Sequence, residues 1–195
     1  CHTSYPDIGW DLPELMMKNG ISSKCIFTYI CHNCNYVFPD FFKDAISQCK
    51  KCGGFSAKLS NVRNGVTVDI LSNIVNCFDL YVQYANSEGF GLPQVEAASC
   101  GVPVMSVDYS AMHSVIRKLG GVPLKLKTSY KELETGCMRA VPDNEYAAEK
   151  FDEFFNLPTA MRLKKGFDTR KAFEKHYQWD DTVKKWEQWF DSVQV

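Results

Sequence analysis

The sequence predicts an α/β protein: a Rossmann-like parallel sheet with an inserted cysteine-paired lobe and a helical C-terminal tail. Three observations predict it. Short apolar runs alternate with amphipathic stretches over residues 24–126, the pattern of βαβ units and a parallel sheet. Two C-x-x-C pairs, Cys31 with Cys34 and Cys49 with Cys52, interrupt that alternation. Beyond Asp143 only helical periodicity remains.

The elements follow in order. Residues 10–19 read as a helix, with Leu12, Leu15, Met16 and Met17 near one face, Pro13 suited to the start and Gly20 to the stop. Residues 24–30 are apolar and β-rich, so they read as a buried strand of the parallel sheet. Thr67 is placed to cap a helix over 68–78, whose Ile70, Leu71, Ile74, Val75 and Phe78 recur at helical spacing. Residues 80–84 read as a strand, 92–99 as a helix ended by Gly101, and 102–107 as a second buried strand. Ser110 is the expected cap of a helix closed by Gly120 and Gly121. Residues 122–126 and 137–141 read as short strands. Asp143 caps one tail helix, Pro158 starts a second and Asp180 caps a third. The aromatic residues Trp186, Trp189 and Phe190 form an apolar stripe on the third helix and are expected to act as packing anchors.

Composition excludes several classes. The chain has 195 residues, 45% hydrophobic and 23% charged, which is a globular balance rather than a disordered one. The formal net charge is -1, so no general attraction to nucleic acid or anionic membrane is expected. No apolar run approaches the roughly 18 residues a membrane span needs. The first residues do not form a signal peptide, and they lack a starting Met, so a fragment or processed product is expected. Nine cysteines, an odd number, suit a reducing compartment better than a secreted disulfide scaffold, and a cytoplasmic location is expected.

The chemistry concentrates in residues 87–104. A strand ends near Tyr84 and a helix opens near Leu92. Gly89 and Gly91 permit a tight turn and a close ligand approach. Pro93 suits a first helical turn. The unpaired N–H groups at Leu92 and the positive end of the helix dipole favour phosphate. Ligands of open parallel sheets collect at the carboxyl ends of the strands, where this loop lies. Glu88 and Glu96 stand on either side of the turn, and carboxylates accept paired hydrogen bonds from the vicinal hydroxyls of ribose and hexose. The residues alone leave two readings open. One is a ligand site. The other is a common glycine turn followed by a solvated acid at the head of a helix.

The same segment resembles the E-x7-E signature of the family 4 retaining glycosyltransferases, which have the GT-B fold. Their pattern runs approximately S-x-x-E-G-F-G-L-P-x-x-E-A-M-A-x-G-x-P-V. This sequence gives E-G-F-G-L-P-Q-V-E-A-A-S-C-G-V-P-V from Glu88 to Val104. Asp79, Leu80, Tyr81 and Val82 resemble the strand before the motif, and Trp179-Asp180 resembles the family's ending. The likeness is weak over 10–30 and good over 65–195.

The resemblance implies a nucleotide-sugar donor and transfer with retention of anomeric configuration. It implies that Glu96 bonds ribose hydroxyls and that Glu88 contacts the donor sugar as the catalytic acid-bearing position. By the same likeness, Gly89, Phe90 and Gly91 approach that sugar and the Leu92 amide meets the diphosphate. The sequence departs from the family at two places. The Arg and Lys that clamp the diphosphate have no counterpart beyond Lys18 and Lys24, which match by type alone. The acid expected after the next strand is absent from Ser110, Ala111, Met112, His113 and Ser114. The family's N-terminal acceptor domain is also missing, so a missing domain or second chain is the expected partner. The chain alone is expected to give no turnover.

The two C-x-x-C pairs are separated by fourteen residues, a spacing that supplies four thiolates to a tetrahedral zinc. Cys31, Cys34, Cys49 and Cys52 are therefore the expected ligands of a structural zinc, and residues 31–59 read as a zinc ribbon. Residues 1–30 and 60–195 then form the nucleotide-sugar-binding domain. His32 is a competing but unneeded ligand. The rival reading makes the ribbon the functional part, a non-catalytic module for nucleic acid or a protein partner. Lys50, Lys51, Lys58 and Arg63 offer charge for it, but Asp40 and Asp44 offset them and no basic-aromatic stripe is present. No nucleic-acid partner is expected.

Overall fold

The computed structural model describes residues 1–6, 11–61 and 63–193, and Trp10, expected to open the first helix, lies outside them. The chain forms two compact units, Cys1–Leu71 and Ser72–Val195.

The first unit opens with α1 (Leu12–Lys18). Asp11 caps it by accepting the Glu14 N–H at 3.0 Å. Four strands follow: β1 (Ile26–Cys31), β2 (Val37–Phe41), β3 (Ile46–Gln48) and β4 (Phe55–Leu59). They form one antiparallel sheet in the order β2-β1-β4-β3.

This corrects the placement of residues 24–30 in a parallel sheet. Ile26 through Ile30 pair antiparallel with Phe41 through Val37, and Tyr29 pairs with Leu59. The reason is local. Antiparallel neighbours need only a short turn, whereas a parallel partner needs a crossover of a dozen or more residues. Pro39 sits on β2, an edge strand, where its missing N–H costs no ladder bond. Met16, Phe27, Tyr29, Phe38 and Leu59 bury together with Cys31 and Cys49. Tyr29 stacks on Phe38 with ring centroids 5.8 Å apart.

The second unit is the mixed α/β part. Its strands β5 (Tyr81–Gln83), β6 (Val104–Val107) and β7 (Val122–Leu124) are parallel and lie in that order. Val82 pairs with Met105, which in turn pairs with Val122. Between these strands run α3 (Leu92–Ser99) and α4 (Ser110–Lys118), while α2 (Val68–Val75) precedes them. Met105, Leu124, Ala147 and Phe154 form the core that seats α5 (Asn144–Phe155) on the sheet. Asp143 caps α5 through the Tyr146 N–H at 3.1 Å. In α6 (Thr159–His176), Gly166 lies so close to the Gly101 carbonyl that any side chain would collide with it.

Three details differ from the sequence reading. A hairpin of β8 (Leu126–Lys131) and β9 (Met138–Pro142) follows β7, where only residues 137–141 were expected as strand. Residues 127–131 are all exposed, so no buried face marks the sequence. Ser110 is the first helical residue, and Tyr109 occupies the cap position. Finally, α7 (Trp179–Ser192) buries none of its residues. Trp186, Trp189 and Phe190 pack on one another instead of acting as anchors, and each stays more than half exposed.

Candidate functional site

The loop between β5 and α3 ends in an open helix terminus. Gly91 caps α3 at φ 83° and ψ 55°, a left-handed conformation that glycine adopts at least cost. No side chain caps the helix. Gln94 N–H is satisfied by the Gly91 carbonyl at 3.2 Å and Pro93 carries no N–H. The Leu92 N–H has no partner among the described residues, and no acid stands in the first turn to neutralise the dipole. Gly89, expected to share the turning role, has no left-handed φ, and a side chain there would meet nothing within 4 Å. Phe90 is half exposed and sets its ring edge-on to Tyr177, centroids 6.0 Å apart.

The two acids are held differently. Glu88 is half-buried, and its Oε1 accepts a 2.8 Å bond from Gln83 Nε2. Gln83 Oε1 in turn accepts from the Tyr81 hydroxyl at 2.6 Å. Glu96 projects exposed from the second turn of α3. Burial first, and then the charges of Glu88 and Glu96, push the Tyr81 phenol up to about 12. Both carboxylates thus bear electrostatically on the Tyr81 hydroxyl, after burial.

Sequence reasoning missed three residues here. Gln83 is buried beside the loop and ties down Glu88. Its signal was available: strand alternation puts Tyr81 and Gln83 on one face. Ser110 accepts from the Glu88 N–H at 3.0 Å and donates to the Glu88 carbonyl at 3.1 Å. Gln94 is fully buried under the turn, with Nε2 3.4 Å from the Phe90 carbonyl and Oε1 without a partner among the described residues. The sequence marked Ser110 only as a helix cap and as one of five positions without an acid; its grip on Glu88 and the burial of Gln94 both depend on where the loop folds back. Lys18 and Lys24 belong to the first unit.

In the first unit the four paired cysteines converge. Cys31 and Cys52 sulfurs lie 3.6 Å apart and those of Cys34 and Cys49 3.7 Å apart. All four ligand atoms fall within 4.8 Å of one another. A tetrahedron with metal–sulfur bonds of about 2.3 Å has edges of ~3.8 Å, so the cluster has the dimensions of a four-thiolate site.

Two matched turns build it. The Asn35 N–H returns to the Cys31 carbonyl at 2.8 Å and the Gly53 N–H to the Cys49 carbonyl at 3.0 Å. Asn35 and Gly53 both adopt left-handed φ, 54° and 72°. Lys51 N–H donates to Cys49 Sγ at 3.3 Å, and Ser56 Oγ lies 3.2 Å from Cys31 Sγ. The Ser56 bond leads in pulling Cys31 down to about 6. At Cys34 the Tyr36 N–H favours the thiolate, but burial and the neighbouring sulfurs prevail and push it up to about 12. Four sulfurs this close have an arrangement that could hold one metal ion. His32 is engaged elsewhere, with Nε2 3.0 Å from Asn64 Nδ2.

The second unit is thus a parallel α/β sheet whose β5–α3 loop ends in an open helix terminus, with Glu88 before it and Glu96 after it in the chain. The family described as glycosyl transferases group 1 matches residues 65–171, more than half of the chain, and the chain belongs to that family. The cysteine cluster lies wholly outside the matched span. No curated protein matches. Among solved structures, a chain from the crystal structure of the GtfA/B complex is similar at 21% identity with a TM-score of 0.40. That likeness covers 57% of this chain and 20% of the solved one, so the chain spans about a fifth of that relative's length. No helix among the described residues is long and apolar enough to cross a membrane.

Proposed function

We propose that the second unit is the donor-binding part of a retaining, GT-B type glycosyltransferase of family 4 and that its ligand is a nucleotide-sugar. The observation that carries this is the uncapped N-terminus of α3 at Leu92, which follows Glu88 and precedes Glu96 along the chain. The diphosphate sits on the Leu92 amide, where the helix dipole offsets its charge as it leaves with the nucleotide. Glu96 accepts bonds from the ribose and Glu88 from the hexose. Gly89, Phe90 and Gly91 provide the backbone that approaches the sugar. No divalent metal is required at this step.

Cys31, Cys34, Cys49 and Cys52 hold a zinc whose four positions are all filled, which makes it structural. Residues 31–59 form a zinc ribbon within the first unit, and the donor domain is the second unit, not residues 1–30 with 60–195, because residues 26–31 pair with the strands of the cysteine-bearing sheet. The donor domain's partner is an acceptor-binding domain or second chain, and the protein works in the cytoplasm. Against the nucleic-acid reading, Lys50 is drawn to Asp40 at 3.2 Å and stands over the Phe38 ring, and Lys51 stands over the Tyr36 ring.

Calorimetry with UDP, GDP and ADP tests the proposal. One of them binds, and Glu96→Ala weakens that binding by about 1.5–3 kcal/mol, the range for a hydrogen bond to a charged group. Binding of none, together with a salt-dependent affinity for RNA or DNA that chelation removes, would favour the ribbon as the functional part.

A further inference from the structure

We propose that Ser110 is a positioning residue that holds Glu88 in its sugar-facing pose, an inference that rests on the donor-binding reading above. Ser110 stands in the left-handed region at φ 49°, although it is not a glycine. A non-glycine residue there is strained, and such strain persists where the surroundings hold it in place. Its hydroxyl explains what it gains. The Oγ accepts from the Glu88 N–H at 3.0 Å and donates to the Glu88 carbonyl at 3.1 Å, so one hydroxyl grips both backbone groups of the acid. Glycine would fit the backbone better but would carry no hydroxyl.

The side chain of Glu88 is tied from a second strand. Gln83, at the end of β5, holds Oε1 at 2.8 Å, while Ser110 follows β6. Backbone and carboxylate are thus fixed from two neighbouring strand ends. Glu88 Oε2 has no protein partner among the described residues and remains for a ligand. Ser110 acts through Glu88 and not by touching the sugar, so its removal should affect sugar recognition far more than nucleotide recognition. Gln83 fixes the carboxylate in one rotamer. Without Ser110 the peptide carrying it is free to turn.

The test compares wild type, Ser110→Gly and Glu88→Gln by calorimetry with three ligand pairs: UDP and UDP-glucose, GDP and GDP-mannose, ADP and ADP-glucose. The readout is the ratio of the two dissociation constants within the pair that binds. Ser110→Gly should lower the sugar-dependent part of the affinity roughly three- to tenfold, the range for a lost neutral hydrogen bond. Its effect on the nucleoside diphosphate should be smaller, and its melting temperature should not fall, because the left-handed strain is relieved. Glu88→Gln should lower the same ratio. In the absence of ligand, hydrogen exchange at the Glu88 amide should quicken in Ser110→Gly. Equal losses for both members of a pair, with a lower melting temperature, would make Ser110 merely structural and overturn the proposal. Unchanged Glu88 exchange would overturn the clamp alone. A wild type that binds none of the six ligands would overturn the donor reading and the role of Ser110 with it.

Discussion

Replacing Gly91 by Ala tests the geometry of the loop more sharply than removing either acid. Gly91 has φ 83°, and moving an L residue into that region costs about 1–2 kcal/mol. The new Cβ would stand 2.6 Å from Gln94 Nε2, well inside contact. Gln94 is fully buried, so its amide cannot swing into solvent and must give up the bond to the Phe90 carbonyl. A lost neutral bond adds roughly 0.5–1.5 kcal/mol. The sum is about 1.5–3.5 kcal/mol against folding of the second unit. Gly89→Ala is the internal control. It has open space around the Cβ and no left-handed φ, so its cost should stay within ~0.5 kcal/mol. Urea denaturation followed by circular dichroism reads both. Equal destabilisation by the two substitutions, or a Gly91→Ala cost below that of the control, would refute the assignment of the turn to Gly91.

Two other outcomes are expected. Purified protein should carry one zinc per chain by elemental analysis, and chelation should strip hydrogen-exchange protection from β1 through β4, since a structural zinc in small domains contributes about 10–16 kcal/mol of folding free energy. Protection that survives both chelation and Cys31→Ser would sink the metal assignment. In the β8–β9 hairpin, Arg139 at 2.7 Å and the Thr135 hydroxyl at 2.5 Å hold Glu132 below the usual carboxylate range. Because the folded pKa is the lower one, this support is complete above the unfolded value of about 4.3 and is lost as pH falls through the folded value. Protection at the Cys137 and Arg139 amides should therefore be lost as pH falls through the lowered folded value of Glu132, and Glu132→Gln should remove that pH dependence. A flat profile in the wild type would count against the clamp.

The parallel core was legible because each of its elements carries its own local signal. Residues 104–107 are all buried and all apolar or small, and α3 starts where Gly91 and Pro93 say it should. The cysteine cluster was legible for the same reason, since ligand spacing alone brings the two pairs together. What escaped depends on distant contacts. Residues 24–30 look like any buried strand, and nothing in their composition tells antiparallel from parallel partners. The β8–β9 hairpin has no buried face to impose a period on its sequence. Gln83, Ser110 and Gln94 became visible as parts of the site only once the loop had folded over the ends of β5 and β6. A serine hydroxyl that reaches a backbone 22 residues away leaves no trace in local sequence. The aromatic stripe of α7 was read correctly as apolar, but an apolar stripe does not reveal whether this chain buries it.

The amide of Leu92 gives the most direct reading of the central proposal. In a nitrogen–proton NMR titration with the nucleoside diphosphate that calorimetry selects, the Leu92 and Gly91 cross-peaks should shift first and saturate at the calorimetric dissociation constant. Glu96→Ala should move that midpoint upward. Shifts confined to residues 31–59, with Gly91 and Leu92 unmoved at saturation, would contradict it.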